Sequence, residues 1–273
     1  MVDENEWRGR TGDAWAAQWR RTDRSFAMLT EELLKRTRGI SFAKVLDIGC
    51  GAGELSLALA RGRPECSVIG VDISPQLIEE AKGRGDHLDN VQFVCADVAE
   101  WQAPPDFAPD LFVSRHGVMF FEEPELAFGH LSRMAVPRSR MLFSCFRAPE
   151  ENPFFTEVVR LLPEPPELGP PGPGPFAFAD HKKVRAILSA GGWEDATFAP
   201  LEIAMIIGAG EDPIEDAVAY FSSIGPAARA VRERDVMAQE RFFERLRRMA
   251  QNNCQEGVVS LPASVWIVTA STA

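Results

Sequence analysis

Residues 45–53 decide the fold, and they read Val45-Leu46-Asp47-Ile48-Gly49-Cys50-Gly51-Ala52-Gly53. The apolar run that ends before Gly49 predicts a buried strand, and the Leu/Ala-rich segment 54–61 predicts a helix. Three alternating glycines between them let the backbone adopt positive φ and approach a ligand closely. The helix N-terminus that follows offers free N–H groups to an anionic group. The segment therefore predicts a ligand-binding turn at the carboxyl end of a strand.

Acidic residues follow the next two strands. Residues 67–72 form a second predicted strand that ends on Asp72, and residues 91–95 form a third that is followed by Asp97. A carboxylate at the end of the second strand can accept both ribose hydroxyls of a nucleoside. We place the edge of an adenine ring near Asp97, although this residue has the alternative role of a helix N-cap. The three loops are expected to face one crevice.

Strands and helices alternate through the first half of the chain. Further strands are predicted at 110–114 and 141–146, with a helix at 125–135 between them, and this order indicates βαβ units. Strand-like sequence returns at 197–206 and at 263–270. We therefore predict an α/β fold with a doubly wound, seven-stranded, mostly parallel sheet of the Rossmann-like type.

The chain divides into four predicted regions. Residues 1–40 are an N-terminal helical cap, with one helix over about residues 13–38. Residues 41–149 are the nucleoside-binding core, and residues 150–260 are a lid and substrate-facing insertion with a returning helix and strand. Residues 261–273 form the final strand of the sheet.

The glycine pattern differs from a dinucleotide fingerprint. In Gly-x-Gly-x-x-Gly the third glycine comes one place later, where this chain has Glu54. A pyrophosphate would face both Asp47 and Glu54, whereas a cofactor with an amino-acid tail presents an ammonium group that pairs with these acids. The turn therefore favours S-adenosylmethionine (SAM) over NAD.

Four segments of the chain resemble the successive motifs of class I SAM-dependent methyltransferases. They are residues 45–53, 68–72, 96–98 and 114–121. The chain is most similar to the small-molecule branch that resembles the ubiquinone/menaquinone-biosynthesis C-methyltransferases. Within it, the chain resembles a bacterial group with a tryptophan-bearing N-terminal helix, a Ser-Arg-x-Gly-Val-Met-Phe-Phe segment and a Pro/Gly-rich loop ending in Pro-Phe-Ala. The resemblance implies a Rossmann-like methyltransferase fold, SAM as cofactor and S-adenosylhomocysteine as product.

The resemblance also implies a role for each residue of the cofactor site. Asp72 is expected to hold the ribose, and Ile73 is expected to pack on the adenine. Asp97 and Val98 are expected to meet the adenine edge, and Ser114 is expected to lie beneath the sulfonium. The methionine part of SAM is expected in the turn formed by Asp47, Gly49, Gly51 and Gly53.

The acceptor side is indicated by one histidine and four aromatic residues. His116 stands where the family usually has an aromatic residue, and it is either a general base or a side chain that packs locally. Trp15 and Trp19 lie one helical turn apart and either cover the cofactor or substrate or anchor the helix on the sheet. Phe120 is predicted to point partly to the core and partly to the substrate, and Phe176 belongs to the predicted lid.

The predicted lid contains a segment with seven prolines between Pro163 and Pro175. Such a segment is either a linker between two domains or a lid over the site, and we favour the lid. The phenylalanines around it indicate an apolar or aromatic acceptor.

The amino-acid composition and net charge exclude several classes of binding partner. The net charge is −11, from 29 basic and 40 acidic residues, and a nucleic-acid partner is therefore not expected. The five cysteines include no CxxC pair, which argues against a disulfide framework and against a metal site. The polar N-terminus resembles no signal peptide, and no apolar run is long enough to span a membrane. We expect a cytoplasmic protein with a small-molecule substrate, and the sequence indicates no oligomeric state.

These features predict a SAM-dependent methyltransferase that acts on an oxygen or carbon nucleophile of a small, apolar or aromatic metabolite. A SAM-binding protein without methyl transfer, either a regulator or an enzyme of other SAM chemistry, is the first alternative. An NAD(P)-dependent oxidoreductase is the second.

Overall fold

A computed structural model describes residues 4–165, 172–225, 227–232 and 234–273. Eight strands of these residues form one sheet: β1 (Lys44–Ile48), β2 (Ser67–Asp72), β3 (Val91–Cys95), β4 (Leu111–Arg115), β5 (Arg140–Phe146), β6 (Glu194–Gly208), β7 (Cys254–Gln255) and β8 (Val258–Ser271). Across the sheet they run β3-β2-β1-β4-β5-β8-β6, and the two-residue β7 pairs with β8. The predicted seven-stranded, doubly wound sheet is therefore confirmed, with β7 as a short addition.

Strands β1 to β5 are parallel, and their carboxyl ends consequently lie at one edge of the sheet. Strands β1 and β4 are buried along nearly their whole length. Strands covered on both faces read as continuous apolar runs, which is why the sequence shows them clearly. Chain order reverses between β1 and β4, and ligands of open α/β sheets bind in the crevice at such a point.

Strand β8 lies between β5 and β6 and is antiparallel to both. It begins at Val258, and not at residue 263 as predicted, because the strand continues through Pro262. A proline lacks the N–H group that a central strand needs on both sides. Pro262 is tolerated here because the pairing of β5 with β8 has already ended at Val265.

The single N-terminal helix predicted over 13–38 is wrong. The chain breaks at Gln18 and Phe26, where φ is −111° and −98°. The Thr22 hydroxyl donates to the carbonyl of Trp19 at 2.8 Å, and the Ser25 hydroxyl donates to the carbonyl of Thr22 at 2.9 Å. Such side-chain bonds compete with the helix ladder and bend it. Three short helices result, α2 (Arg10–Ala17), α3 (Trp19–Ser25) and α4 (Ala27–Thr37), and a further helix, α1 (Glu4–Arg8), precedes them.

The remaining described helices flank the sheet. They are α5 (Glu54–Gly62), α6 (Pro75–Gly85), α7 (Pro124–Met134), α8 (Pro153–Val159), α9 (His181–Ala190), α10 (Pro213–Ser223), α11 (Ala228–Arg232) and α12 (Val236–Asn252). Helices α5 and α6 pack on β2 and β3, and α10 packs on β6 and α12. No helix in the described part of the chain is long and apolar enough to cross a membrane.

The predicted lid and insertion, residues 150–260, contains β6, which is a full strand of the main sheet. Six residues of its proline-rich segment, 166–171, lie outside the described residues. Described residues resume at Gly172, and the segment that follows leads directly into α9.

Candidate cofactor and acceptor site

The predicted glycine turn lies at the carboxyl end of β1. Gly49, Gly51 and Gly53 all have positive φ, at 63°, 56° and 85°. A Cβ on Gly49 would lie 2.8 Å from the Cα of Gly117, so the two backbones touch and only glycine fits. A Cβ on Gly51 would meet nothing within 4 Å, so this part of the turn borders open space. The turn offers a stretch of backbone that a ligand can approach closely.

Asp72 fastens the ends of β1 and β2 together. Its Oδ2 accepts a hydrogen bond from the N–H of Gly51 at 2.8 Å, and its Oδ1 accepts one from the N–H of Ser74 at 2.9 Å. Burial raises the pKa of this carboxyl, whereas hydrogen bonds from the backbone of Ser74, Gly51 and Ile73 lower it. Each carboxylate oxygen can accept a second hydrogen bond. Asp72 therefore keeps free acceptor capacity at the end of β2.

Asp47 and Ser114 lie beneath the turn, both almost fully buried. The Ser56 hydroxyl donates to Asp47 Oδ2 at 2.6 Å, and burial raises the pKa of Asp47 to about 6. The Ser114 hydroxyl donates to the carbonyl of Ile48 at 2.7 Å and accepts from the N–H of Gly117 at 3.0 Å. Ser114 thus joins the ends of β1 and β4, the two strands that border the switch point.

The predicted adenine-side residues lie at the ends of β2 and β3. Ile73 is half-buried directly after Asp72, and Val98 is buried. Asp97 is half-buried, and its Oδ1 accepts a hydrogen bond from the N–H of Ala99 at 2.9 Å. No helix lies between β3 and β4, where the structure describes every residue, so the alternative prediction of Asp97 as a helix N-cap is wrong. The bond instead closes a local turn, and it uses one oxygen of Asp97.

An aromatic cluster of the N-terminal helices covers this edge of the sheet. Trp7 meets Trp15 and Phe120 edge to face, with ring centroids 5.5 Å and 5.2 Å apart. The indole Nε1 of Trp7 is buried and has no partner among the described residues. Trp19 lies apart from this cluster, with the guanidinium of Arg84 3.8 Å above its ring. The two predicted cap tryptophans thus have different neighbours.

An ionic network fastens the N-terminal helices to the glycine turn. Asp23 pairs with Arg84 at 2.8 Å and with Arg115 at 3.4 Å, and both arginines are largely buried. Arg84 also pairs with Glu54 at 2.8 Å and donates to the carbonyl of Ala52 at 2.7 Å. Burial raises the pKa of Asp23, although both arginines act to lower it. These contacts join α3, α6 and the end of β4 around the turn.

His116 follows β4 with a left-handed backbone, at φ 68°. Its ring stacks on Phe146, with centroids 4.1 Å apart and planes 14° from parallel, and meets Phe26 edge to face at 5.3 Å. Nδ1 lies 3.5 Å from Ser144 Oγ, while Nε2 is buried without a partner among the described residues. Burial, assisted by Arg115, lowers the pKa of His116 to about 3. The imidazole is therefore neutral at physiological pH.

Phe176 lies next to Phe146, the residue whose ring stacks on His116. Its own ring is 5.0 Å from that of Phe155 and 6.2 Å from that of Phe146. The N–H of Gly174 donates to the carbonyl of Met119 at 3.1 Å, which fixes the chain just before Phe176 to the turn after β4. The structure thus places Phe176 beside Phe146, which stacks on His116, whereas Phe120 belongs to the tryptophan cluster.

The contributors to this site that were not predicted as such include Trp7, Asp23, Phe26 and Arg84. Asp23 is 61 and 92 residues from its two arginine partners, and no local spacing reveals such a pairing. Trp7 is one of three tryptophans in the first 19 residues. That density was the available signal for an aromatic cluster.

Comparison with known proteins agrees with this geometry. A family model described as a methyltransferase domain matches residues 45–138. The malonyl-[acyl-carrier protein] O-methyltransferase of Anoxybacillus flavithermus is 30% identical over 135 residues, which are 47% of this chain and 51% of that protein. The trans-aconitate 2-methyltransferase of Methylobacterium radiotolerans is 26% identical over 200 residues, which are 73% of this chain and 63% of that protein. The chain thus spans about half to two thirds of the length of these relatives.

A solved structure shares the fold. The phosphoethanolamine N-methyltransferase 2 of Haemonchus contortus, in complex with phosphomonomethylethanolamine and S-adenosylhomocysteine, matches with a TM-score of 0.56 at 16% identity. The match covers 100% of this chain and 61% of that chain. The strand order, the glycine turn and the matched family model agree with one another. Residues 45–138 therefore form a methyltransferase domain on a Rossmann-like α/β sheet.

Proposed function

We propose that the chain transfers the methyl group of SAM to an oxygen or carbon nucleophile of a small, apolar or aromatic molecule. The observation that carries this proposal is the left-handed glycine turn with Asp72 and Asp97 beside it, at the carboxyl edge of adjacent strands. This edge is where open α/β sheets bind nucleosides.

The residues present fit SAM. The absence of a Cβ at Gly49 lets the turn lie against the next loop, and the open space at Gly51 leaves room for the methionine part. Asp72 keeps acceptor capacity for the ribose hydroxyls, with Ile73 against the adenine. Asp97 and Val98 are proposed at the adenine edge. The buried carboxylate of Asp47 supplies the negative charge that favours an ammonium group.

SAM, when bound, supplies a methyl group that its sulfonium already activates. The chain's own contribution is then to position the acceptor and to exclude water. The tryptophan cluster and Phe176 would enclose the site on two sides, while Ser114 holds the strand ends below it. His116 is the candidate base, because its neutral ring can accept a proton from the nucleophile.

Replacing Asp72 with alanine is expected to weaken SAM binding by about 1.5–3 kcal/mol, the usual contribution of a hydrogen bond to a charged group. Isothermal titration calorimetry with SAM and with S-adenosylhomocysteine measures this change. Asp86→Ala is the matched control, because Asp86 is an exposed acid at the end of α6 and is expected to leave the affinity unchanged. Unchanged affinity in a folded Asp72→Ala protein would remove the ribose assignment.

Release of S-adenosylhomocysteine from SAM in the presence of pooled small metabolites tests transfer itself. Release that depends on the pool supports the proposed enzyme. If the protein binds SAM tightly but releases no S-adenosylhomocysteine with any of the metabolite pools, the result would instead support a SAM-binding protein that transfers no methyl group.

A second acceptor chemistry is favoured by the relatives. The names malonyl-[acyl-carrier protein] O-methyltransferase and trans-aconitate 2-methyltransferase both denote carboxylate-bearing acceptors. A carboxylate oxygen is a nucleophile without a base, but it needs positive charge nearby when it is buried. Comparing dicarboxylates with hydroxylated rings as acceptors separates the two chemistries.

If the proline-rich segment is a lid, ligands should protect it from proteolysis. A glutamate-specific protease can cut after Glu167, and the rate of that cut is expected to fall when S-adenosylhomocysteine and an acceptor analogue are present. Cutting after Glu256, which is exposed in the turn between β7 and β8, is the internal control and should keep its rate. If the ligands slow the cuts after Glu167 and Glu256 equally, or slow neither cut, the result would favour a linker.

A further inference from the structure

The imidazole of His116 is held in one orientation by its surroundings. Phe146 stacks on one face at 4.1 Å, and Phe26 meets the ring from the N-terminal helices at 5.3 Å. The backbone of His116 is left-handed, a conformation that most side chains avoid and that marks functional sites when it persists. The ring is 7% exposed. Its two nitrogens therefore have fixed and different environments.

The two nitrogens differ in their partners. Nδ1 faces Ser144, whose Oγ lies 3.5 Å away, and a hydrogen bond to the Ser144 backbone favours the N–H form of the ring. We assign the proton to Nδ1 on this basis, which leaves a lone pair on Nε2. Nε2 is buried and has no partner among the described residues. A buried polar atom without a partner calls for an explanation, and a missing ligand is one.

The position of His116 points to the methyl acceptor as that ligand. Two residues earlier, Ser114 bonds to the end of β1, and one residue later, Gly117 touches the glycine turn. The imidazole thus stands beside the proposed cofactor site. Phe146, Phe155 and Phe176 form a continuous aromatic wall on its other side. Because Phe146 stacks directly on the imidazole, a ligand would reach Nε2 at the edge of the ring, where it would contact a neutral nitrogen beside these apolar rings.

The charges around the imidazole determine whether a carboxylate or a hydroxyl of such a ligand can contact Nε2. Arg115, the adjacent cation, already donates to Thr30 at 2.8 Å and pairs with Asp23. Burial keeps the ring of His116 neutral, so a buried carboxylate would find no unpaired positive charge beside this nitrogen. A hydroxyl group, in contrast, donates the one hydrogen bond that Nε2 lacks.

We propose that His116 is a specificity-determining residue that selects a flat, hydroxyl-bearing aromatic acceptor by accepting a hydrogen bond from its O–H at Nε2. This inference rests on the proposed function, and it names the acceptor class of the same site. As the acceptor oxygen forms its bond to the methyl carbon, the methyl–sulfur bond breaks and its electron pair stays on sulfur. The hydroxyl proton passes to Nε2 and then to water, which leaves an aryl methyl ether and S-adenosylhomocysteine.

The test measures binding to the whole chain saturated with S-adenosylhomocysteine. The probes are 1-naphthol, its methyl ether 1-methoxynaphthalene, and 1-naphthoate, with phenol, anisole and benzoate as a smaller series. The hydroxyl probe of at least one series is expected to bind at least tenfold more tightly than its ether and its carboxylate. In protein labelled with ¹⁵N-histidine, that probe should shift the Nε2 resonance of His116 and leave the resonances of the other three histidines in place.

His116→Phe should abolish the preference for the hydroxyl over the ether and leave the affinity for S-adenosylhomocysteine unchanged. His87→Phe is the matched control, because His87 is exposed on the surface and should keep the preference. Should His116→Phe fail to fold, His116→Asn replaces it, since asparagine tolerates the left-handed backbone. It should lose the preference in the same way.

Three results would overturn the inference: a carboxylate that binds best, a preference for the hydroxyl that survives in the His116 variant, or a protein that binds S-adenosylhomocysteine but none of the hydroxyl probes. Each of these leaves the proposed function standing. Failure to bind either SAM or S-adenosylhomocysteine would instead reject the proposed function, and the acceptor inference with it.

Discussion

Replacing Gly49 with alanine is expected to destabilise the protein by about 2–5 kcal/mol and to abolish measurable SAM binding. A left-handed backbone costs a residue with a Cβ about 1–2 kcal/mol. The new methyl group would also lie 2.8 Å from the Cα of Gly117, which is backbone and cannot rotate away. Overpacking of this kind typically costs a further 1–3 kcal/mol, roughly. The two loops must separate, and the proposed methionine site opens with them.

Urea unfolding measures the loss in stability as a lower midpoint at an unchanged slope. Gly83→Ala is the matched control, because Gly83 lies exposed inside α6 with nothing within 4 Å of its Cβ position. That substitution is expected to raise stability by up to about 1 kcal/mol, since alanine is the better helix former. A Gly49→Ala protein as stable as the wild type would show that the two backbones have room to move apart.

Replacing Asp47 with asparagine is expected to have the opposite effect on stability, with a gain of up to about 3 kcal/mol at pH 8. Burial raises the pKa of this carboxyl from 3.8 to about 6, so the folded protein holds an unfavourable buried anion above that pH. Asparagine has nearly the same shape and can still accept from the Ser56 hydroxyl. Under the proposed function, SAM affinity falls in the same variant because the ammonium group loses a nearby anion.

The pH dependence of this gain follows from the direction of the pKa shift. Between about pH 4 and 6 the folded wild type binds more protons at Asp47 than the unfolded chain, so Asp47 makes stability fall as pH rises. The advantage of the Asp47→Asn variant should therefore grow through this window and stay constant above it. His116, whose pKa is lowered, contributes a slope of the opposite sign. It contributes equally in both proteins and cancels in their difference.

Urea unfolding of both proteins at a series of pH values gives this difference directly. A pH-independent difference would show that Asp47 titrates normally in the folded state. The Ser56→Ala variant separates the effect of the buried charge from the effect of the hydrogen bond. It removes the hydrogen bond that lowers the pKa of Asp47, and it keeps the charge of the carboxylate. Its stability is expected to fall further with rising pH than that of the wild type, because the pKa of Asp47 rises higher without this bond.

The strands that build the site could be predicted because each is a buried parallel strand followed by a polar turn. Continuous apolar sequence predicts β2 and β3 with the bounds that the structure shows, and β1, β4 and β5 within one residue. The glycines and Asp72 were predicted for the same reason, because they follow those strands directly. Here the local pattern and the tertiary structure agree.

Features that depend on contacts between distant residues could not be predicted. The breaks at Gln18 and Phe26 follow from hydroxyl groups that bond the backbone, and helical spacing alone does not reveal them. The pairing of Asp23 with its arginines arises only once α3 lies against the glycine turn. The free Nε2 of His116 likewise depends on Phe26 and Phe146, which come from opposite sides of it in the chain.

The ionic network of Asp23 has a kinetic consequence. Because α3 is tied to α6 and to the end of β4 across the glycine turn, we expect a ligand held in that turn to depart only when the amino-terminal helices lift and both ion pairs separate. Residence time would then be set by this opening, and it would shorten with salt more than the equilibrium affinity does. An affinity tag joined to the first residue would add mass to the amino-terminal helices and could slow their opening. A carboxyl-terminal tag is therefore the better choice for measuring the rate of ligand exchange.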